Sequence, residues 1–479
     1  LFFGKIGFWQ NKFYLLLEGA CGMMYMKQLS IAFILSTVLT GCGGGGSSWD
    51  NDDDDDNPAE APSAPVSLSA NAGDRAISLG WSVPTTNGSG SIDYKITLSP
   101  AAAAAQFTIV GTTALVRGLN NDTTYTFQVT ASNSSGTGPA ASIQAKPAAT
   151  RIADYSELIV ADRPSPLHGV AAPAPLRAAD GRIWLAYADV DVTGAGSTVG
   201  STIQIAQSND NGASYRYDQE VGRRLLAPGG FWDYRTPWLI EDSRDPDATR
   251  RFKLFAHKYF FSSVGPTLDF GRGAIAMWTA STPDGEWSDE TIVLGWTGTD
   301  ALLQPATRVN QLDTALQPCL WIDQGGASVG SDGIDMVFSC VLNDIDIAQR
   351  KIVLLRSANH AQSFSYVATL LQPTDAAAYT AESFDMPALL PGAGTAPVLI
   401  ASPIDFEGNA LGCVVFPIAD PKAGKLFMAN DEPLALQTLA PAGVDSGDCG
   451  WDRSIPANGI LMRDRDGSDY TIQATGKSL

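Results

Sequence analysis

The sequence predicts an all-β chain in which a small β-sandwich precedes a β-propeller of about five blades. Three observations carry this. Short alternating strands punctuated by Gly, Pro and Asn/Asp turns run through residues 65–479, in a chain with 47 Gly and 28 Pro among 479 residues. Pro173, Pro237, Pro318 and Pro387 recur 64, 81 and 69 residues apart, each heading an apolar run, and a further interval of this size reaches 449–479. Each repeat is too small to bury both faces of its own sheet, so the units must pack radially around a channel.

At the amino terminus, Met26-Lys27-Gln28 and the apolar run Leu29–Leu39 have the charged start and short core of a secretory signal, too short for a spanning helix. Residues 1–25 precede that complete signal and read as an upstream translated segment. Leu39-Thr40-Gly41-Cys42 resembles the lipobox of bacterial lipoproteins, which implies a signal peptide over 26–41, cleavage before Cys42 and lipid on its sulfur. By that family's sorting habit, Gly43 after the cysteine implies an outer-membrane lipoprotein of the cell envelope, facing periplasm or surface. Residues 42–64 form the tether: Gly43–Gly46, two serines, then Asp50 and Asp52–Asp56. Such a charge run is a solvated, self-repelling linker, with a structural calcium ion as its alternative role.

The 31 basic against 51 acidic residues give a net charge of −20, which excludes the basic surface that nucleic acid needs. With no Cys-x-x-Cys and only His168, His257 and His360, no zinc site is expected and no cofactor is implied. Four cysteines remain once Cys21 and Cys42 are set aside, and they allow three pairings. Cys319 and Cys340 fall on neighbouring strands of one blade, and Cys413 can reach Cys449 between successive blades, so two disulfides are expected in an oxidising compartment.

Residues 65–147 have the size of a sandwich, with alternating strands at Ile77–Trp81, Tyr94–Leu98 and Tyr125–Ala131. Trp81, Tyr94 and the run Gly118-Leu119 to Tyr125 resemble the fibronectin type III signature. The resemblance implies a tyrosine corner at Tyr125 with Leu119 beneath it, both core residues, in a module that serves as a spacer or makes glycan or protein contacts. Ala101–Ala105 is helix-permissive in isolation but is expected as an irregular loop within a sandwich.

Residues 151–479 hold the propeller. Its first unit leaves Pro173, turns at Asp180-Gly181, returns as Arg182–Ala188 and continues as Thr202–Ala206. The later units pair Arg251–Tyr259 with Ala274–Ala280, Ile334–Val341 with Lys351–Arg356, Pro397–Ser402 with Gly412–Ile418, and Gly459–Met462 with Tyr470–Ala474. A strand within Tyr155–Val160 is expected to close the ring by pairing into the last blade. Ser208-Asn-Asp210-Asn-Gly212-Ala-Ser214-Tyr215 resembles the Asp-box of sialidases, as do a copy without the glycine at Ser357–Phe364 and a relative at Ser281–Trp287. These imply outer structural turns, in which the acid caps amides and Gly212 supplies a positive φ.

Two resemblances bear on chemistry. Pro173–Ala188 is similar to the opening blade of sialidases, with Ala171-Ala172-Pro173 where an Arg-Ile-Pro-like motif stands. Tyr234-Arg235-Thr236-Pro237 is similar to the Arg-Asp-Pro motif of five-bladed furanosidases with threonine for the aspartate, and Asp385-Met386-Pro387 to their Glu-x-Pro acid motif. Glycosidic cleavage needs two carboxyl groups roughly 5–9.5 Å apart. Asp385 is the first candidate acid, with Asp233, Glu382 and Asp452 as second members because each lies near an inner-strand start. Arg235, His168, Gln317, Arg453 and Trp232 are the candidate substrate-binding residues; Trp238 and Trp451 offer further ring faces, although blade tryptophans commonly pack. Geometry predicts that the strands beside Pro173, Pro237, Pro318, Pro387 and Cys449 aim these residues at one channel mouth. The alternative is that Arg235 and Asp385 form a structural ion pair. The reading is a lipid-anchored protein whose propeller binds a glycan or polysaccharide and hydrolyses it if an acid pair is free; the alternatives are a furanosidase- or sialidase-like glycoside hydrolase with displaced acids, and a scaffold for protein contacts.

Overall fold

The computed structural model describes residues 60–475 except 89, 149–155, 158–159, 166–168, 191–200, 211, 263–266, 296–307, 344–345, 347, 391–396, 409, 440–448, 451–458 and 466–468. The lipobox and its tether up to residue 59 therefore lie outside the described residues, as do His168, Trp451, Asp452 and Arg453.

The fold is all-β. The first module is a sandwich of a four-stranded sheet, ordered Val66–Gly73, Ala76–Ser82, Thr113–Arg117, Gln106–Val110, and a three-stranded sheet of Asp93–Ser99, Tyr125–Asn133 and Gly136–Ala145. Alternation decides which faces meet: Ile77, Leu79 and Trp81 project from one sheet and Tyr125, Phe127 and Val129 from the other, all essentially buried. Trp81 meets Tyr94 edge-on at 5.2 Å. The Tyr125 hydroxyl accepts the Asn120 amide at 3.1 Å, the backward tie expected of a tyrosine corner. Residues 101–105 form a turn rather than a helix.

Five blade sheets follow in chain order among the described residues, their consecutive strands antiparallel neighbours except where Val160–Ala161 pairs parallel to Tyr215–Gly222, and a two-stranded hairpin, Met428–Ala429 with Glu432–Pro433, stands beside the fourth. Their inner strands are Gly169–Arg177, Gly230–Glu241, Trp321–Gly330, Ser383–Leu390 and Cys449–Gly450. The last sheet is completed by the amino-terminal strand Ser156–Glu157, which pairs with Asp469–Thr475. Val160–Ala161 joins the outer strand Tyr215–Gly222 of the first sheet, so the segment entering the propeller ties its first and last blades together. Central strands such as Ile183–Val190 and Val398–Ile404 are buried along their whole length, because packed neighbours cover both sheet faces.

The seams between blades are tied by side chains reaching across to turns of the next sheet. Arg182 pairs with Asp284 at 2.9 Å, Arg244 donates to the Ser331 carbonyl at 2.7 Å, and Arg356 donates to the Pro421 carbonyl at 2.7 Å while gripping Asp335. The turn at Ser208–Tyr215 is closed by the Ser214 amide donating to Asp210 Oδ1 at 2.8 Å and the Gly212 amide to Ser208 Oγ at 2.8 Å. The Ser214 hydroxyl, together with the Ser214 amide, holds the Asp210 carboxyl below its usual range. In the glycine-less copy, Ser363 and Ala361 donate to Asn359 and Ser357 at 3.0 and 2.9 Å, and Ala361 adopts φ 67° where Gly212 has φ 87°. The hydrogen bonds thus impose the left-handed conformation even on alanine. His360 of this turn then reaches Asp242 of the preceding blade at 2.7 Å. Asp242, Asp245 and His360 together resemble a cation site, but the fully buried Lys253 already sits there, its ammonium 2.8 Å from Asp245 and 3.5 Å from Asp242.

One correction concerns architecture. The repeat prolines do not open the inner strands: Pro173, Pro237 and Pro387 lie inside them, at bulges, and Pro318 lies outside, before a strand that begins at Trp321. An innermost strand has an open edge, where the missing N–H of proline costs no ladder bond. The sandwich, moreover, is docked on the propeller. Ala76 and Leu115 pack into a core with Val398, Ile400, Val415, Phe427 and Leu436 of the fourth blade, and Thr113 Oγ1 donates to the Ala419 carbonyl at 2.5 Å. At Gly73 a side chain would meet the Leu436 carbonyl at 2.4 Å, so only glycine permits this approach. Cys319 and Cys340 form the expected disulfide within the third blade. Cys413 is also disulfide-bonded, while the side chain of its expected partner, Cys449, lies outside the described residues.

Candidate functional site at the inner-strand bulges

Four inner strands break register at corresponding places: between Ala171 and Ala174, Arg235 and Trp238, Asp323 and Gly325, and Asp385 and Ala388. In three of them the residue before proline takes a positive φ, 47° at Ala172, 44° at Thr236 and 54° at Met386. Such conformations cost on the order of 1–3 kcal/mol each, and for a β-branched threonine they are true outliers. A bulge re-aims the side chain beside it. The residues immediately before the bulges of the second, third and fourth blades are Arg235, Asp323 and Asp385, so the bulges place charge at corresponding positions of three consecutive blades, two of them beside a strained residue.

Asp385 is buried and paired, though not with Arg235. Arg350, on the neighbouring blade, places its Nη1 2.5 Å from Asp385 Oδ2 and 3.1 Å from Asp323 Oδ2, and Ser339 Oγ donates to the other oxygen of Asp385. Burial works against the charge of Arg350, but the two carboxylates outweigh it and raise its pKa. One guanidinium therefore bridges two inner-strand acids. Asp323 also faces the His257 ring, Nδ1 to Oδ1 3.6 Å. Burial drives the His257 pKa down to about 4, with Asp323 opposing and Arg235 reinforcing the shift; the ring is neutral at pH 7.

Asp233 is fully buried and held by Arg224, whose Nε and Nη2 donate at 3.0 and 3.3 Å, and by the Ser201 amide at 3.0 Å. Burial raises its pKa against these three donors and Arg235. Arg235 is half-buried, its guanidinium over the Tyr259 ring at 5.2 Å. Tyr259 shares a hydrogen bond with Ser201 at 3.1 Å, and burial raises its phenol pKa. The result is a continuous polar row from Ser201 through Asp233, Tyr259, Arg235, His257, Asp323 and Arg350 to Asp385.

Other sequence candidates fall elsewhere. Glu382 is exposed one residue ahead of its strand, and Gln317 is exposed at the end of the short 3-10 turn Thr314–Leu316, because the third strand starts beyond it. Trp232 is only 4% exposed and packs edge-on against Phe260 at 5.0 Å, with no ring face open for a sugar. Trp238 likewise packs against Phe338 at 5.5 Å. Asp323, Arg350, Arg224 and Tyr259 escape the sequence reading, and His257 enters it only as a metal-ligand type. For Asp323 a signal existed, an acid two residues into an apolar inner strand ahead of Gly-Gly. For Arg350, at the start of its blade's third strand, there was none.

Residues 60–146 match the fibronectin type III domain family. No curated protein matches the chain. Among solved structures it is similar to a family 117 glycoside hydrolase of the marine bacterium Zobellia galactanivorans, at 12% identity over 68% of this chain and 90% of that one with a TM-score of 0.41. It is also similar to an exo-β-1,3-galactanase of Phanerochaete chrysosporium, at 12% identity over 67% and 63% with a TM-score of 0.42, and to a Hadza microbial sialidase, at 11% identity over 77% and 69% with a TM-score of 0.37. The fold that the chain's own strand order describes is a fibronectin type III sandwich followed by a β-propeller.

Proposed function

We propose that the propeller recognises a glycan through the row of polar side chains at its inner-strand bulges and does not cleave it. The observation that carries this reading is Arg350, which lies between Asp323 and Asp385 within 3.1 Å of both. Hydrolysis requires one protonated and one ionised carboxyl flanking the bond. Here two acids are tied to one guanidinium, and Asp233 is tied to another. What the row retains is a dense alternation of donors and acceptors with half-buried Arg235 and partly exposed Asp323 at its open side, which suits a hydroxyl-rich ligand.

The test is binding of the full chain to an array of neutral and acidic oligosaccharides, with reducing-end release measured in parallel. Arg235→Gln should weaken binding about tenfold or more, the usual loss for a hydrogen bond to a charged group, in a protein that stays folded with a Tm lowered by the lost contact over the Tyr259 ring. Neither protein should release sugar. Release that disappears in Asp385→Asn would establish a glycoside hydrolase instead.

The anchoring is a separate proposal, supported by the Leu39–Cys42 motif: the mature chain begins at a lipidated Cys42 and resides in the outer membrane of the cell envelope. Acylation contributes about 0.8 kcal/mol per buried CH₂, so exported protein should partition with membranes and Cys42→Ala should free it. An exported wild-type chain found wholly soluble with an unmodified amino terminus would end that reading.

A further inference from the structure

Leu226 is 87% exposed, the most exposed large apolar side chain among the described residues. It lies on the short strand Leu225–Ala227, which pairs with Gly230–Glu241 on the side away from the rest of that blade. Since Gly230–Glu241 is the inner strand, this hairpin extends the blade inward, beside the polar row. It is held there from its foot. Arg224, next to Leu225, grips Asp233 through two nitrogens and lies over the Phe231 ring at 4.1 Å.

Register shows what Leu226 continues. It sits opposite Phe231, which in turn sits opposite Phe261 and stacks on it at 4.9 Å with an 11° interplanar angle. Two residues on, Asp233 is opposite Tyr259; two further, Arg235 is opposite His257. Residues two apart on a strand share a face. One face of this blade therefore runs from an apolar end at Leu226 and the Phe231–Phe261 stack to a polar end at Arg235 and His257; of these residues Leu226 and Arg235 are open to solvent, and the stretch between them is buried. From Phe231 to Arg235 is four residues, about 13 Å of strand.

We propose that the Leu225–Trp232 hairpin is the apolar wall of the ligand site and that Leu226 packs on the C–H face of an oligosaccharide whose hydroxyls reach Arg235 and Asp323. This rests on the glycan-binding reading and adds the ligand class to it: a neutral oligomer, long enough to touch both ends of the face, rather than a single sugar or a polyanion. Neutral sugars join an apolar ring face to a hydroxyl edge, matching the two ends of this strand. Polyanions are disfavoured by the net charge of −20.

The experiment compares the wild-type full chain with Leu226→Ser on an array of neutral mono- and oligosaccharides. Because Leu226 is solvated, the substitution should leave Tm unchanged while weakening oligosaccharide binding at least about fivefold, on the scale of one large apolar contact. Monosaccharides should bind poorly to both. Equal binding by the two proteins overturns the hairpin's role and leaves the glycan reading standing. Loss in Leu226→Ser of self-association, or of sedimentation with phosphatidylcholine–phosphatidylglycerol vesicles, with sugar binding intact, assigns the leucine to a second copy or to lipid and overturns it too. If the wild type binds no sugar on the array, both readings fall.

Discussion

Arg350→Met should lower the stability of the folded chain by about 3–5 kcal/mol, the loss typical of removing one partner from a buried charge cluster. The cause is geometric. Asp385 is 2% exposed and keeps only the Ser339 hydroxyl once Arg350 is gone, and Asp323 loses a partner at 3.1 Å. Asp385, buried on its inner strand, would then have to stay ionised without a cation or take up a proton. The neutralising replacement separates this from simple misfolding: Arg350→Met combined with Asp385→Asn should cost well under the sum of the two single changes, because the amide carries no charge to strand. Chemical denaturation of the four proteins measures the cycle. Additive losses, or a single-variant loss below about 1 kcal/mol, would show that the cluster does not hold the rim together.

That cluster also marks where the sequence stops being informative. Period-two alternation and turn residues suffice to find the strands Ile183–Val190 or Val398–Ile404, because a strand's own residues record whether its faces are buried. The Tyr125 corner and the Ser208–Ser214 turn are legible for the same reason, each being closed by residues within a few positions of one another. Arg235 and Asp385 could be singled out because each precedes a kinked X-Pro step. Their partners could not. Arg350 reaches Asp385 across 35 positions and His257 reaches Asp323 across 66, and nothing local to either partner encodes the encounter. The docking of Leu115 on the fourth blade is hidden likewise, since an apolar residue looks the same whether it faces its own module or another. Even the third inner strand lies beyond the place that proline spacing assigns it, because the feature shared by the blades is a bulge, which Gln324-Gly325 supplies without proline.

Acid should weaken the protein through His257, and the sign follows from its depressed pKa. In the unfolded chain the ring titrates near 6.5, whereas in the fold burial holds it down to about 4. Between those values the unfolded state binds a proton that the native state refuses, so stability is fully present above pH 6.5 and is lost as pH falls toward 4. The difference corresponds to about 2 kcal/mol at pH 5 and about 3 kcal/mol once both states are protonated. Asp323 at 3.6 Å moderates the loss by favouring the imidazolium, and Arg235 adds to it. Asp233 titrates with the opposite sign: its raised pKa means the folded state takes up its proton first, which favours folding as the pH falls. The wild type alone therefore reports a mixture. Comparing it with His257→Gln isolates the imidazole, since every other group is common to both. The gap in unfolding free energy between the two proteins should move by about 2 kcal/mol in favour of the glutamine variant between pH 7.5 and pH 5, in denaturant titrations at fixed ionic strength. A gap that does not change with pH would mean that His257 takes up its proton in the folded rim as readily as in water, and that this part of the site is open to solvent.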